Sequence, residues 1–285
     1  MKAGLVGLGA MGVGMARNVA KAGYLSGVYN RTTAKAQSLA EELNVTAFDQ
    51  PEDLAAHVDI VLICVSADAD VLAVVERLAT SVKPGTIVVD MSTVSSATAQ
   101  LAAAMLTEKQ AAFLDAPVSG GVEGAKNGAL AMMIGGDLEA LEQARPVLET
   151  MTRCIMHMGA TGTGQATKAV NQIMGAGINQ AVTEALAFAQ SQNLPMDKVI
   201  EVISGGASGN WFLEHRGVTM TQGLFAPGFK VALHHKDLKI CRSMAEQTGA
   251  PTALIDLTLA DYERLMAGGF GDEDISALYR LKAID

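Results

Sequence analysis

The chain has 285 residues, of which 49% are hydrophobic and 18% charged, and its formal net charge is −9 at pH 7. This length suits two domains of ordinary size, and the acidic balance, without any basic run, argues against nucleic-acid and anionic-membrane partners. No apolar run reaches the ~18 residues of a membrane span, and glycines interrupt the apolar N-terminus, which favours a first β-strand over a secretory signal. Three widely spaced cysteines indicate reduced thiols in a cytoplasmic protein. No cluster of His, Cys and carboxylates has metal-ligand spacing, so no metal is expected.

Short apolar runs alternate with helical patterns through the first half of the chain. The runs lie at residues 3–8, 26–30, 59–65, 85–91, 111–117, 130–136 and 154–159. Helical spacing marks segments between them, such as 33–43 and 137–151. Strands rich in valine and isoleucine, without polar alternation, are typical of a parallel sheet buried on both faces. The order of elements predicts a doubly wound α/β domain.

The pattern changes near residue 160, after which helical periodicity dominates and no further strand-like run appears. We therefore predict two domains. Residues 1–161 form the doubly wound domain, and residues 162–285 form an all-α domain.

Three glycines follow the first strand and open the first helix in the pattern Gly7-x-Gly9-x-x-Gly12. The first permits a tight turn, the second lets the backbone approach a pyrophosphate, and the third allows close packing of helix on strand. The motif alone is weak evidence, but strand, turn, helix and chain position agree here. The sequence predicts a dinucleotide site at Gly7, Leu8, Gly9, Ala10, Met11 and Gly12.

The end of the second strand selects the dinucleotide. An acidic residue about 20 positions beyond the glycines would bind the ribose 2′-hydroxyl of NAD, but Asn30, Arg31 and Thr32 stand there. A neutral residue removes the repulsion toward a 2′-phosphate, Arg31 offers a fork of donors, and Thr32 offers a hydroxyl. An ordinary polar turn is the alternative. We predict NADP as the cofactor, with NAD as a weaker one.

The segment "GTGQATKAVNQ", residues 162–172, carries one lysine on a helical apolar pattern. None of the four residues on either side of Lys168 is acidic, so no local ion pair accounts for the cation. Taken alone, the pattern would indicate a lysine whose stem lies along an apolar surface while its head reaches water.

Four segments, in this order, resemble the signature blocks of the 3-hydroxyisobutyrate dehydrogenase (β-hydroxyacid dehydrogenase) family. They are "LVGLGAMGVGMARNV", "DAPVSGGVEGAKNGALAMMIGG", "GTGQATKAVNQ" and "FKVALHHKDL". The resemblance covers essentially the whole chain. It implies a Rossmann domain, a long inter-domain helix that carries the lysine, an all-α second domain for substrate and oligomerisation, and a homodimer or homotetramer.

The resemblance makes Lys168 the catalytic acid/base. When a hydride reaches a carbonyl carbon, an adjacent ammonium stabilises the charge that develops on the oxygen and delivers the proton. Asn171 and Gln172 lie one turn further on the same helical face, and the resemblance implies that they contact the substrate. Many family members have two asparagines at these positions, so the exact contact stays open.

The resemblance also assigns residues outside this helix. Ser119, Gly120 and Gly121 follow a strand at the carboxyl edge of the sheet, where a hydroxyl and successive N–H groups suit a substrate carboxylate. Lys236 would contact the cofactor from the second domain, with Asp237 holding the local geometry. Thr93 matches a family residue near the nicotinamide ribose, and Val65 and Ser66, which end another strand, are expected to face the adenosine side of the cofactor. Helix capping is the alternative for Thr93 and its neighbour Ser92.

The sequence thus predicts a cytoplasmic, NADP-dependent oxidoreductase that interconverts a small 3-hydroxy acid, such as 3-hydroxyisobutyrate, and its semialdehyde. Glyoxylate, succinic semialdehyde and tartronate semialdehyde reduction are alternatives within the family. Imine reduction on the same fold is another, although those relatives typically have Asp or Tyr where Lys168 stands. A catalytically inert dinucleotide-binding module is the non-enzymatic alternative, which the presence of Lys168 opposes.

Overall fold

This computed structural model describes residues 1–283. The chain divides into two units, and the first, Met1–Lys168, contains a nine-stranded sheet. The second unit begins at Ala169. The strands are β1 (Ala3–Val6), β2 (Leu25–Tyr29), β3 (Thr46–Ala47), β4 (Ile60–Ile63), β5 (Ile87–Asp90), β6 (Ala112–Asp115), β7 (Val118–Ser119), β8 (Leu130–Gly135) and β9 (Thr152–Gly159). Their order is β3-β2-β1-β4-β5-β6-β8-β7, and β9 pairs with β8.

Helices connect these strands and cover the sheet with two apolar clusters. They are α1 (Ala10–Lys21), α2 (Thr33–Leu43), α3 (Pro51–Ala55), α4 (Asp68–Leu78), α5 (Ser96–Thr107), α6 (Gly121–Asn127) and α7 (Leu138–Leu148). Local sequence fixes several of their starts. Ser95 caps α5 by accepting the Thr98 N–H, and Asp137 caps α7 by accepting the Ala140 N–H.

The predicted α/β class is confirmed, and every predicted strand is present. The sheet is parallel from β3 to β6, but β8 runs antiparallel to β6 and β7. The unpredicted strands β3 and β7 have two residues each, too short for a periodic pattern. Strand β9 lies at an edge and exposes Cys154, Met156 and Met158, so its alternating exposure differs from that of the buried central strands.

The second unit is helical, as predicted. Helix α8 (Thr163–Ser191) begins in the first unit and continues into the second. It is followed by α9 (Met196–Ser204), α10 (Trp211–Thr221), α11 (Val231–Thr248), α12 (Ala253–Ala267) and a 3₁₀ helix (Ile275–Leu281). These helices enclose a separate apolar cluster, which includes Leu186, Leu238 and Tyr262. In the part of the chain described, no helix has the length and hydropathy needed to cross a membrane.

Two buried aspartates end neighbouring strands of the sheet. Asp90 on β5 and Asp115 on β6 are paired in register, and both are fully buried. The Ser92 N–H donates to Asp90 Oδ1 over 3.0 Å, whereas Asp90 Oδ2 has no hydrogen-bond partner among the described residues. Burial raises the pKa of Asp90 to about 7, and the neighbouring Asp115 carboxylate raises it further against the opposing Ser92 bonds. Near neutral pH, therefore, Asp90 retains a proton for much of the time.

Replacing Asp90 by asparagine should remove a pH dependence of stability. The ordinary aspartate pKa is 3.8 and the folded value is about 7, so the folded state binds more protons between these pH values. The free energy of unfolding contributed by Asp90 therefore falls as the pH rises. Urea denaturation at pH 5 and pH 8 should show Asp90→Asn gaining stability relative to the wild type at the higher pH. The gain should be about 1.4 kcal/mol for each pH unit between pH 5 and the folded pKa of about 7. A difference between the two proteins that is the same at both pH values would contradict this assignment.

Candidate active site

The glycine-rich turn after β1 contains two kinds of glycine. Gly7 has φ +99°, and a Cβ there would overlap the Cys64 carbonyl. A Cβ on Gly12 would overlap the Gly7 carbonyl, so packing within the chain requires both glycines. Gly9 is different, because it is exposed, has no positive φ, and has open space where its Cβ would stand. The fold itself does not require glycine at this position, whereas a ligand lying against the backbone would.

The N-terminus of α1 suits an anion at this turn. No side chain caps the helix, and its first turn contains no acidic residue. Gly9 and Ala10 are exposed, Met11 is partly exposed, and Leu8 is buried beneath them. Since the N–H groups at a helix start carry partial positive charge, the residues present fit the pyrophosphate of a dinucleotide.

Asn30 ties the end of β2 to the glycine-rich turn. Its Oδ1 accepts the Leu8 N–H over 2.9 Å, and its Nδ2 donates to the Thr32 carbonyl over 3.2 Å. The amide thus holds two loops together and places no negative charge beside them. A carboxylate at this position would repel a phosphate, whereas the neutral amide of asparagine does not.

The start of α2 is the most cationic helix start at this edge of the sheet. Arg31 and Lys35 are exposed there, Thr32 precedes the helix, and no acidic residue lies in its first turn. By contrast, the first turn of α4 contains Asp68 and Asp70. Arg31 Nη1 lies 3.5 Å from Asp70 Oδ1, but the arginine side chain is 90% exposed, so this ion pair is weak.

Loops after β4 and β5 meet beside the glycine-rich turn. The Val65 N–H donates to Ser92 Oγ over 2.9 Å, so the buried Ser92 joins the two loops. Ser66 is exposed and Thr93 is partly exposed. The capping alternative for Ser92 and Thr93 is wrong, because Ser95 caps α5.

Ser119, Gly120 and Gly121 form the turn from β7 into α6. The two glycines have φ values of +132° and +60°, which L side chains adopt only with strain. Ser119 is half-buried, and Gly120 is exposed. This turn therefore combines a serine with two glycines whose backbone carries no side chain, and its role as a carboxylate site stays a prediction.

Lys168 lies in the second turn of α8 and is 7% exposed. It is the one buried lysine among residues 1–283. Gln165, one turn earlier, is also buried, and its side chain donates to the Ser92 carbonyl over 2.8 Å and accepts the Val94 N–H over 3.1 Å. The start of the helix is thereby tied to the loop after β5.

Within the helical unit, the predicted residues Asn171, Gln172 and Lys236 are connected through Asp237. Asn171 Nδ2 donates to Gln172 Oε1 over 2.8 Å, and Gln172 Nε2 donates to Asp237 Oδ2 over 2.7 Å. Lys236 Nζ lies 2.9 Å from Asp237 Oδ1. Asp237 is buried, so this group is more than a surface ion pair.

His234 supports the same turn of α8, and the sequence analysis missed it. Its Nε2 lies 3.1 Å from the Gln172 carbonyl, and its Nδ1 lies 3.0 Å from the Tyr262 hydroxyl. A carbonyl oxygen only accepts, so Nε2 carries the proton, and in the neutral ring Nδ1 accepts from Tyr262. Asn179 Nδ2 in turn donates to the tyrosine oxygen over 3.1 Å. No local sequence pattern indicates a contact between residues so distant along the chain.

Asp115 and Gln165 were also missed as members of the site. Asp115 lies inside the predicted strand 111–117, and the sequence gives it no role of its own, although parallel strands gather functional groups at their carboxyl ends. Gln165 lies three residues before Lys168, on the same helical face. This spacing in the sequence could have indicated Gln165 as a side chain that supports the lysine.

Comparison with protein families and known proteins covers nearly the full chain. Residues 2–159 match the family described as the NAD binding domain of 6-phosphogluconate dehydrogenase. Residues 162–282 match the one described as NAD-binding of NADP-dependent 3-hydroxyisobutyrate dehydrogenase. Both segments therefore match domains of dinucleotide-dependent dehydrogenases.

Individual relatives align over almost their whole length. An uncharacterized oxidoreductase of Shewanella frigidimarina is 41% identical, over 97% of this chain and 96% of the relative. The NAD-dependent L-serine dehydrogenase of Pseudomonas aeruginosa is 33% identical, also over 97% and 96%. The structure of Mycobacterium tuberculosis 3-hydroxyisobutyrate dehydrogenase with L-serine superimposes with a TM-score of 0.90 at 31% identity, and 98% of each chain is covered. The chain belongs to the 3-hydroxyisobutyrate dehydrogenase (β-hydroxyacid dehydrogenase) family of NAD(P)-binding oxidoreductases.

Proposed function

We propose that this protein is an NADP-dependent oxidoreductase that interconverts a small 3-hydroxy acid and its semialdehyde, with Lys168 as the general acid/base. The observation that carries the proposal is the burial of this one lysine, at 7% exposure, in a chain of this family. Burying an ammonium group costs free energy unless the group is paired or hydrogen-bonded. Such groups are concentrated at functional sites.

The cofactor lies along the carboxyl edge of the sheet in this proposal. Gly9 and the start of α1 hold the pyrophosphate, and Arg31, Thr32 and the start of α2 hold the 2′-phosphate. Support comes from the open space at Gly9 and from the acid-free first turns of both helices. When bound, NADPH supplies the hydride. The chain itself contributes the orientation of the bound groups and the proton.

Lys168 donates a proton to the carbonyl oxygen of the semialdehyde and takes the hydroxyl proton in the reverse direction. Its ammonium group also stabilises the negative charge that develops on that oxygen. General acid catalysis of this type contributes about 10²- to 10⁴-fold to a rate. Asn171 and Gln172, one turn later on α8, hydrogen-bond the substrate.

The substrate carboxylate binds at the turn formed by Ser119, Gly120 and Gly121. The half-buried hydroxyl and the two glycines with positive φ support this assignment. 3-Hydroxyisobutyrate is the proposed type of substrate, and serine is a second candidate. Serine is also a 3-hydroxy acid, and one relative acts on L-serine while the structure of another contains it.

We also propose that the protein is a cytoplasmic homodimer or homotetramer, without nucleic-acid or membrane partners. Val170 and Met174, one turn apart on α8, are exposed, and so are Phe188 further along that helix and Val202 on α9. Exposed apolar groups of this kind are typical of interfaces when they are contiguous.

Two glycine substitutions should separate folding from cofactor binding. Gly9→Ala adds a methyl group in open space, so the melting temperature should stay close to that of the wild type while NADP and NAD both bind about tenfold more weakly or worse. Gly12→Ala should lower the melting temperature, because its Cβ overlaps the Gly7 carbonyl. Differential scanning fluorimetry and fluorescence titration would measure the two effects. Unchanged dinucleotide affinity in Gly9→Ala would contradict the proposed pyrophosphate site at this turn.

Arg31→Ala should weaken NADP far more than NAD. Hydrogen bonds to a charged group contribute about 1.5–3 kcal/mol, so NADP affinity should fall about 10- to 100-fold while NAD affinity changes little. Arg153→Ala on β9 is the matched control, since this arginine is also exposed. Equal losses for both dinucleotides in Arg31→Ala, or a wild-type preference for NAD, would refute the role of Arg31.

Lys168→Ala should lower kcat by about 10²-fold or more and leave NADPH affinity nearly intact. Lys198→Ala, which removes an exposed lysine on α9, serves as the control. Substrates would be 3-hydroxyisobutyrate, serine and the semialdehydes of the alternatives, each assayed with both cofactors. If Lys168→Ala kept a tenth of the rate, the acid/base assignment would be wrong. Tight NADPH binding without turnover of any substrate would favour the inert binding module.

A further inference from the structure

We propose that Asp115 is a positioning residue for Lys168, an inference that rests on the proposed function of that lysine. Asp115 is the last residue of β6 and is fully buried. Its Oδ1 accepts the Gly162 N–H over 2.7 Å, and its Oδ2 accepts the Gln165 N–H over 2.9 Å. These N–H groups flank the start of α8 at Thr163. A strand carboxylate thus satisfies helix-start donors that usually bond to the helix's own capping residue.

The contact between strand and helix leaves no room for adjustment. A Cβ on Gly164 would lie 2.6 Å from the Met133 carbonyl oxygen and 2.9 Å from Asp115 Oδ2. A Cβ on Gly135 would overlap Asp115 Oδ1. Glycine at both positions lets the backbone of α8 approach the carboxyl ends of β6 and β8 directly. The first turn of α8 therefore packs directly against these strands, and a larger residue at either glycine would push it away.

Gln165 provides a second attachment in the same turn. Both ends of its side chain bond to the loop after β5, through the Ser92 carbonyl and the Val94 N–H. The helix cannot rotate or slide without breaking these two bonds and the two that Asp115 accepts. Lys168 lies three residues after Gln165 on the same face, so the attachments fix where its stem leaves the helix.

Two carboxyl groups side by side at this edge have different tasks. Burial raises the pKa of Asp115 above its ordinary value, against the opposing N–H bonds from Gly162 and Gln165. Asp90 accepts a single N–H bond from Ser92 and has one oxygen without a partner among the described residues. Asp115 thus uses both of its oxygens as acceptors for the start of α8.

Asp115→Asn tests the inference at constant side-chain size. The amide has one acceptor oxygen, and its NH₂ group faces one of the two backbone donors, so one attachment is lost. We expect kcat to fall at least tenfold while the KM and Kd for NADPH stay within about twofold of the wild type. Asp137→Asn is the matched control, because Asp137 also caps a helix by accepting an N–H, but it precedes α7 rather than α8. Its kcat should be unchanged.

A double-mutant cycle with Lys168→Ala distinguishes positioning from a general structural defect. If Asp115 acts through Lys168, adding Asp115→Asn to Lys168→Ala should change the residual rate less than twofold. Gln165→Met, which removes the second attachment, should behave in the same way, and it replaces Asp115→Asn if that variant does not fold.

The outcomes separate the two proposals. Wild-type kcat in Asp115→Asn and Gln165→Met would overturn the positioning role and leave the acid/base role of Lys168 intact. The same fold-loss with and without Lys168 would also overturn it, since the effect would then bypass the lysine. Nearly full activity in Lys168→Ala alone would refute the proposed function, and the inference with it.

Discussion

The hydrogen bonds from the first turn of α8 to the carboxylate of Asp115 are the constraint on which this site depends. They join the helix that carries Lys168 to the edge of the sheet where dinucleotides bind in folds of this class. A lysine side chain has four rotatable bonds and defines its own position poorly. Precision must come from the backbone that carries it, which is fixed here by a buried acceptor and by glycines at the points of closest approach.

The same edge of the sheet shows how one residue type serves opposite purposes. Gly7 and Gly12 are needed because neighbouring carbonyl groups leave no space, whereas Gly9 has space and is exposed. The two aspartates at the ends of β5 and β6 are equally buried, but Asp90 accepts an N–H bond from Ser92 in the next loop, whereas Asp115 accepts two from the start of α8. In each case, the role of the residue depends on the atoms around it and cannot be inferred from the residue type alone.

Much of the fold could be predicted from the sequence, because its signals are local. Apolar runs predict every strand longer than two residues, and the change of periodicity near residue 160 predicts the helices that follow. The two units of the structure divide at Lys168 and Ala169, within α8, where the periodicity does not change. The antiparallel placement of β8 could not be predicted in this way, since strand direction depends on a connection whose course leaves no periodic trace. The exposed face of β9 follows from its place at the sheet edge, which is also a property of the whole sheet.

The sequence predicts site residues that belong to local motifs, but it does not predict residues whose partners are distant along the chain. Gly7–Gly12, Arg31 and Lys168 stand in ordered motifs, so spacing and resemblance are enough to propose them as site residues. Asp115, Gln165 and His234 act through partners 50, 73 and 62 residues away along the chain. Their roles are visible only once the fold brings the partners together.

Rescue of Lys168→Ala by an external amine would test the central claim most directly. Single-turnover NADPH oxidation with a semialdehyde would be followed at increasing methylammonium, with tetramethylammonium at equal ionic strength as a cation that has no proton to donate. The account predicts that methylammonium accelerates hydride transfer in proportion to its concentration, whereas tetramethylammonium does not. Equal acceleration by both cations, or hydride transfer in Lys168→Ala at nearly the wild-type rate, would contradict it.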